Sequence, residues 1–305
     1  LQFQLDTTLS DLDRFPLRLS DLVVMELNQD APEKIVWSSG AEYRISDLPA
    51  VGFSGDYYHR PAFIHGQWIE FQGCVMMIDP SGKGLDRTAY SIVAHLNGNL
   101  FVLEVGSFRE GYTEPVLKGL AEAAKRRKVK LILLEDQFGQ GMMESLLQPY
   151  LRKIYPCTIE PTRSNVQKER RIINALEPVM NQHRLIFNRS VIEDDSKPED
   201  EDSVETALAH QLFHQMTHLT VDRQSLQHDD KLDSLAGAVQ YWNESLAIDE
   251  DRAMKEREGE LWELEMAAYK GDIEGLLDAQ ILGVPLEKVQ RQNAKSGWIK
   301  THGSH

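Results

Sequence analysis

Cysteine is nearly missing: the 305 residues contain two, Cys74 and Cys157. That excludes a disulfide framework, speaks against a cysteine-built structural zinc site, and fits an intracellular compartment. Apolar runs approaching the length of a bilayer span, about 18 residues, are absent as well, so no stretch reads as membrane-spanning. A third absence is the phosphate-binding loop of nucleotide hydrolases. Its pattern, G-x-x-x-x-G-K-[ST] opening a helix, occurs nowhere in the chain. Basic charge is also short, with 33 Lys and Arg against 48 Asp and Glu and a formal net charge of −15. Such a balance excludes a passive, high-affinity nucleic-acid coat.

What remains is the composition of an ordinary globular protein, 41% hydrophobic and 27% charged. The length suffices for one large domain or two modest ones. The chain opens on Leu1, and residues 1–6 (LQFQLD) read as the middle of a segment, so a piece excised from a longer protein is expected; 303–305 (GSH) reads as a vector remnant. Acid is concentrated at 193–202 (EDDSKPEDED) and within 249–265, read as a solvated loop and a solvated helix face. Basic residues gather at 125–130 (KRRKVK) and 168–171 (KERR).

Residues 1–72 show little periodicity and read as a lead-in that drapes over the main domain. From Cys74 the pattern sharpens. Residues 75–78 form a short, wholly apolar run, hence a central strand; 88–96 and 100–107 follow, joined by Asn97-Gly98, a hairpin signal. Residues 114–127 read as an amphipathic helix with Pro115 in its first turn. Then come a buried strand at 130–134, a helix at 141–153 and an edge strand at 157–161. Ser164 and Gln167 form a capping box for a helix to Asn181, followed by a strand at 184–188. Helices at 204–219 and from about 229 to 246 complete a domain of residues 73–246. The remainder, 247–305, reads as helical, acidic and separable. The order predicts an α/β fold: a mixed sheet with helices on both faces and the two apolar strands side by side.

Those two strands end on carboxylates, Asp79 and Glu135, which would then project from adjacent edges at one end of the sheet. A third acidic group, Asp229-Asp230 with Asp233, opens a later helix; Asp230 and Asp233 are three apart and Asp229 and Asp233 four apart, so either pair can share a face. Clustered carboxylates repel unless neutralised, and hard divalent cations such as Mg²⁺ or Mn²⁺ suit an all-oxygen set. Taken singly, each residue also reads as a polar strand terminator or a helix N-cap. The loop after Asp79, with Gly82-Lys83-Gly84, reads as a hairpin turn. Lys83 faces either a phosphate backbone or water, and Asp86 is an outer ligand or part of the turn. His210, His214 and His218 fall at i, i+4 and i+8, a spacing open to zinc, but read as a half-buried helix face. His228 is either a proton shuttle or a helix-start contact.

With these residues assembled, the sequence resembles the C-terminal nuclease half of the large terminase subunit of tailed bacteriophages, of the short-tailed coliphage type. The stretches that carry the resemblance are MMIDPSGKGLDRTAYSIV, LNGNLFVLEVG, LILLEDQFGQGM, SNVQKERRIINALEPVMNQHRL and LQHDDKLDSLAGAV, within residues 1–245. It implies a ribonuclease-H-like fold with a helical C-terminal extension, and metal-dependent endonuclease activity on double-stranded DNA using two divalent ions, Mg²⁺ or Mn²⁺. It also implies a motor ATPase elsewhere in the full protein, the portal and small terminase subunit as partners, no membrane, and the host cytoplasm as location. By that resemblance Asp79, Glu135 and Asp230 are catalytic, and Asp79, Glu135, Asp229 and Asp230 hold metal, with Asp233 as third choice on the helix. Gln137 stands where the family's second motif has Asn. Lys83, Lys168 and Arg171 are the expected nucleic-acid contacts. The rival readings are an actin-like nucleotide phosphotransferase and a non-catalytic module docking on the portal or small subunit.

Overall fold

The computed structural model describes residues 14–81, 87–135, 141–163, 166–197 and 203–269. Lys83, the flanking Gly82 and Gly84, Asp86, Asp136, Gln137 and Ser164 lie outside them. So do residues 198–202 of the first acidic block and 270–305 of the expected extension. The chain divides into two compact units, residues 1–243 and 244–305.

In chain order the first unit contains β1 (Val23–Met25), β2 (Asp30–Val36), β3 (Phe63–Glu70), β4 (Gly73–Asp79), β5 (Thr88–Leu96) and β6 (Asn99–Phe108). Then follow α1 (Glu114–Arg126), β7 (Leu131–Glu135), α2 (Met142–Ile154), β8 (Thr158–Thr162), α3 (Lys168–Asn181) and β9 (Leu185–Asn188). Next come α4 (Arg189–Asp195), α5 (Val204–Ala209) and α6 (Leu212–His218). A last helix, α7, runs over Asp230–Tyr269.

Seven strands make one sheet in the order β1-β9-β6-β5-β4-β7-β8. β6, β5 and β4 form an antiparallel meander, while β7 and β8 continue it in parallel. The hairpin expected at Asn97-Gly98 is present, with φ of 50° and 79° at those residues, as a turn matching the strand twist requires. Thr88 begins a strand rather than a helix, as the reading of 82–84 as a hairpin turn demands. A meander followed by two parallel strands and their helices is the ribonuclease-H-like arrangement the resemblance implied.

Several features differ from expectation: α4 runs through 193–195 of the block read as a solvated loop, and the helix expected to end near 246 continues to Tyr269. Within the stretch read as a lead-in, β1 pairs in parallel with β9 at the far edge of the same sheet. And α3 begins at Lys168 with Gln167 as its N-cap and no side-chain cap bond, a later start than a cap at Ser164 implies; Ser164 itself lies outside the described residues.

Both faces of the sheet are covered, which is why β4 and β5 are apolar almost throughout. On one face Cys74, Met76, Ile78, Ile92 and Ile132 pack with Leu117 and Leu120 of α1 and Leu147 and Leu151 of α2. On the other, the first turns of α7 lie close to the strands. Ser234 shares a 2.7 Å hydrogen bond with Ser91 of β5, and a Cβ on Gly237 would stand 3.0 Å from the Met77 side chain. Trp242 donates from its indole to the Val93 carbonyl at 3.0 Å, and Asn243 ties α7 to the Ala175 carbonyl of α3 at 3.1 Å.

Candidate metal centre

β4 and β7 lie side by side in parallel, with Ile78 opposite Leu134. The next residue of each strand is therefore a carboxylate at the same end of the sheet, Asp79 beside Glu135. Each follows an apolar run buried on both faces, so the strand end is the first place where a charge can stand.

The third carboxylate comes from α7. The small residues Ser234 and Gly237 bring this helix against β4 and β5, and Asp230 and Asp233 share their stripe at i, i+3, i+4 and i+7. One turn into the helix, Asp233 meets the strand ends. Single oxygens of Asp79, Glu135 and Asp233 lie within 4.8 Å of one another. Glu135 and Asp233 are buried, at 4% and 1% exposure, and Asp79 is half-buried.

Two cations of α3 meet this group. Arg171 donates to Asp233 Oδ1 at 2.6 Å and stands 3.8 Å from Glu135 Oε1. Lys168 donates to Asp229 Oδ1 at 2.8 Å, and its ammonium faces Asp233 Oδ2 at 3.0 Å as an ion pair outside hydrogen-bonding geometry. Burial alone would depress the Lys168 pKa, but Asp233, Asp229 and Asp79 outweigh it and hold the ammonium charged.

The two cations do not neutralise the group. Burial, with Asp233 as the nearest like charge, raises the Asp79 carboxyl well above its usual range, against the opposing pull of Lys168. Burial also pushes Asp233 up to about 6 despite Lys168 and Arg171, with Glu135 adding repulsion. A convergent carboxylate set in which Asp79 and Asp233 resist losing their protons is short of positive charge. The donors are hard oxygens, so the residues fit a hard divalent cation.

Asp79 and Glu135, expected from sequence, are thus brought together. Asp229, also expected, is tied to them through Lys168. Asp230, the sequence's first choice on the helix, adds charge felt by Asp79, but its ligating oxygen groups with His210 and His228. Asp233 takes the third place in the cluster; what marks it in sequence is its register with Ser234 and Gly237. Arg171, expected on a DNA surface, is 9% exposed and faces the carboxylates, while the Lys168 side chain is 35% exposed at the rim. The three-histidine face is interrupted, because α5 ends at Ala209 and α6 starts at Leu212. His214 and His218 remain together with ring centroids 4.1 Å apart, and His210 stacks instead on His228 at 4.0 Å.

Residues 78–185 match the family described as Terminase Bacteriophage T7, Ribonuclease H-like domain. The large terminase subunit of Enterobacteria phage T3 is 34% identical over 250 residues, 82% of this chain and 43% of the relative, so the chain spans less than half of that protein's length. Among solved structures, the human cytomegalovirus terminase nuclease domain soaked with manganese and bound to an inhibitor is similar at 12% identity and a TM-score of 0.39, over 55% of this chain and 82% of that one. The nuclease domain of the large terminase subunit of bacterial virus Sf6 is similar at 15% identity and a TM-score of 0.33, over 57% and 89%. On the phage T3 relative and the matched ribonuclease-H-like stretch, the chain belongs to the large terminase subunit family of tailed bacteriophages.

Proposed function

We propose that this chain is a metal-dependent endonuclease that cuts double-stranded phage DNA during genome packaging. The observation that carries the reading is the convergence of Asp79, Glu135 and Asp233 at the ends of two central strands and the first turn of α7. That cluster fits cations of the Mg²⁺ or Mn²⁺ class, and the reading takes two of them, with Asp229 extending the donor set. Such ions supply an activated water and charge stabilisation at a leaving phosphate oxygen.

The chain's own residues hold and tune that chemistry. Asp79, Glu135 and Asp233 would bind the ions; Arg171 orients Asp233 by a hydrogen bond from the buried side and lies as a nearby charge beside Glu135. Lys168, at the rim, balances the carboxylates and is placed to meet a DNA phosphate. Lys83 keeps its proposed DNA contact from the family resemblance. With a net charge of −15, the isolated chain should hold DNA weakly and in a strongly salt-dependent way. In the packaging assembly the portal and the small terminase subunit are the proposed partners. Among the described residues no helix is long and apolar enough to cross a membrane.

The test is plasmid cleavage by this chain in Mg²⁺, Mn²⁺ or EDTA, with Asp79→Ala alongside. Metal-dependent nicking or linearisation that vanishes in the variant is expected. Intact plasmid in every lane, from protein shown to be folded, would overturn the reading.

A further inference from the structure

Beside the acidic cluster, and separate from it, one nitrogen each from His210 and His228 and one oxygen of Asp230 lie within 4.8 Å of one another. All three side chains are buried, at 5%, 8% and 7% exposure. The two imidazoles stack with centroids 4.0 Å apart and planes 26° from parallel. They come from two places in the chain: His210 closes α5, while His228 stands two residues before Asp230, the first residue of α7.

What brings them together is a brace of polar contacts, buried or partly buried. Gln215 of α6 donates to the Ala209 carbonyl at 3.0 Å and accepts the Leu232 N–H at 3.1 Å, so one side chain clamps the residue before His210 to the turn containing Asp230. Asp195 accepts the N–H groups of Leu212 and Phe213 at 2.9 and 3.2 Å, just after His210, and pairs with Lys231 at 2.9 Å. The Arg87 N–H donates to Asp230 Oδ2 at 3.2 Å, which restrains the carboxylate at one oxygen. The triad therefore sits in a frame built independently of any ligand, which lowers the ordering cost of binding one.

We propose that His210, His228 and Asp230 form a second metal site that takes a borderline divalent cation of the zinc class. Two imidazoles and one carboxylate are the three-ligand set of zinc and related transition metals, whereas the neighbouring all-carboxylate group suits harder ions. The site joins the α5–α6 junction to the first turn of α7. A cation there fixes the helix that carries Asp233, one turn further on. The proposal does not rest on the nuclease reading, since it concerns binding and helix placement rather than DNA cleavage.

The experiment loads the intact chain with Co²⁺ as a spectroscopic probe and with Zn²⁺ by calorimetry. It compares wild type with His210→Gln, His228→Gln and the Asp79→Asn/Asp233→Asn double variant, with near-ultraviolet circular dichroism to verify folding. The expected result is one equivalent of Co²⁺ with strong visible d–d bands in the double variant, the same bands in wild type beside any ions held by the carboxylates, and loss of those bands in both histidine variants. Zn²⁺ should raise the thermal midpoint of the double variant, and should raise that of either histidine variant less than that of wild type. Two results would overturn the proposal: wild type that takes up no stoichiometric Co²⁺ or Zn²⁺, or a folded histidine variant with undiminished bands. If one histidine variant does not fold, the other and the wild-type stoichiometry decide.

Discussion

Arg171 donates to Asp233 at 2.6 Å with both side chains buried, at 9% and 1% exposure. Guanidinium and carboxylate are charged groups taken out of water together, so each is tolerable mainly because the other is present. The arginine arises from the first turn of α3, and the aspartate from the first turn of α7. The pair therefore joins α3 to α7 at the point where the carboxylates converge.

Arg171→Ala removes the buried partner of Asp233 and leaves Asp233 and Glu135 facing one another. The expected cost is about 3 kcal/mol or more in urea unfolding with EDTA present. Saturating Mn²⁺ should recover a large part of that loss, because the ion supplies the missing charge. An unfolding midpoint equal to that of wild type in EDTA would show that the pair contributes nothing to the fold.

Asp233→Asn should reduce DNA cleavage to the level of the EDTA control. Asp230→Asn, which alters charge near Asp79 without removing a member of the acidic cluster, should cost about tenfold, the range of groups that support a metal's direct ligands. Both are read in one plasmid assay with Mn²⁺. An active Asp233→Asn beside an inactive Asp230→Asn would reverse the assignment.

The contrast between these two residues shows where sequence reading stops. Asp79 and Glu135 are legible because each ends an apolar run that only a central strand explains. That those strands lie side by side follows from their burial. Which aspartate of the Asp229–Asp233 group turns inward depends on the phase of a helix, and that phase is set by Ser234 on Ser91 and Gly237 on Met77, contacts across the sheet. The break at His210–Gln211 is hidden for a related reason. Its cause is Asp195, which caps α6 from 17 residues upstream, beyond the reach of local capping rules. β1 is three residues long in a stretch rich in turn-forming residues, too short to carry a periodicity.

Gly73→Ala tests the seat of α7 on the sheet. A Cβ at this position would collide with the six-membered ring of Trp242, whose indole is already held by the Val93 carbonyl at 3.0 Å. The ring cannot swing away without breaking that bond. A loss of about 1–3 kcal/mol is expected, the usual range for overpacking. Trp242→Phe should cost about 1 kcal/mol through the lost hydrogen bond, and should make the Gly73→Ala change milder when the two are combined. Strict additivity in thermal or urea unfolding would mean that the two residues do not meet.

Asp233 also gives the metal-free chain a pH dependence whose sign follows from its surroundings. Its pKa in the folded chain is about 6, against an ordinary 3.8, raised by burial and by Glu135. The folded state therefore holds this proton more tightly than the unfolded state does. The stability it confers is present below about pH 4 and is lost as pH rises through 6, with a ceiling of about 3 kcal/mol. The raised Asp79 acts in the same direction. A divalent cation needs the ionised forms, so binding must expel protons, and affinity should rise from pH 5 to 7. Unfolding midpoints at pH 5, 6 and 7.5 in EDTA should fall less steeply for Asp233→Asn than for wild type. Equal slopes would remove Asp233 from the account. Mn²⁺ titrations at the same pH values should tighten most between 5 and 7, and an affinity flat over that range would mean the ion binds without displacing these protons.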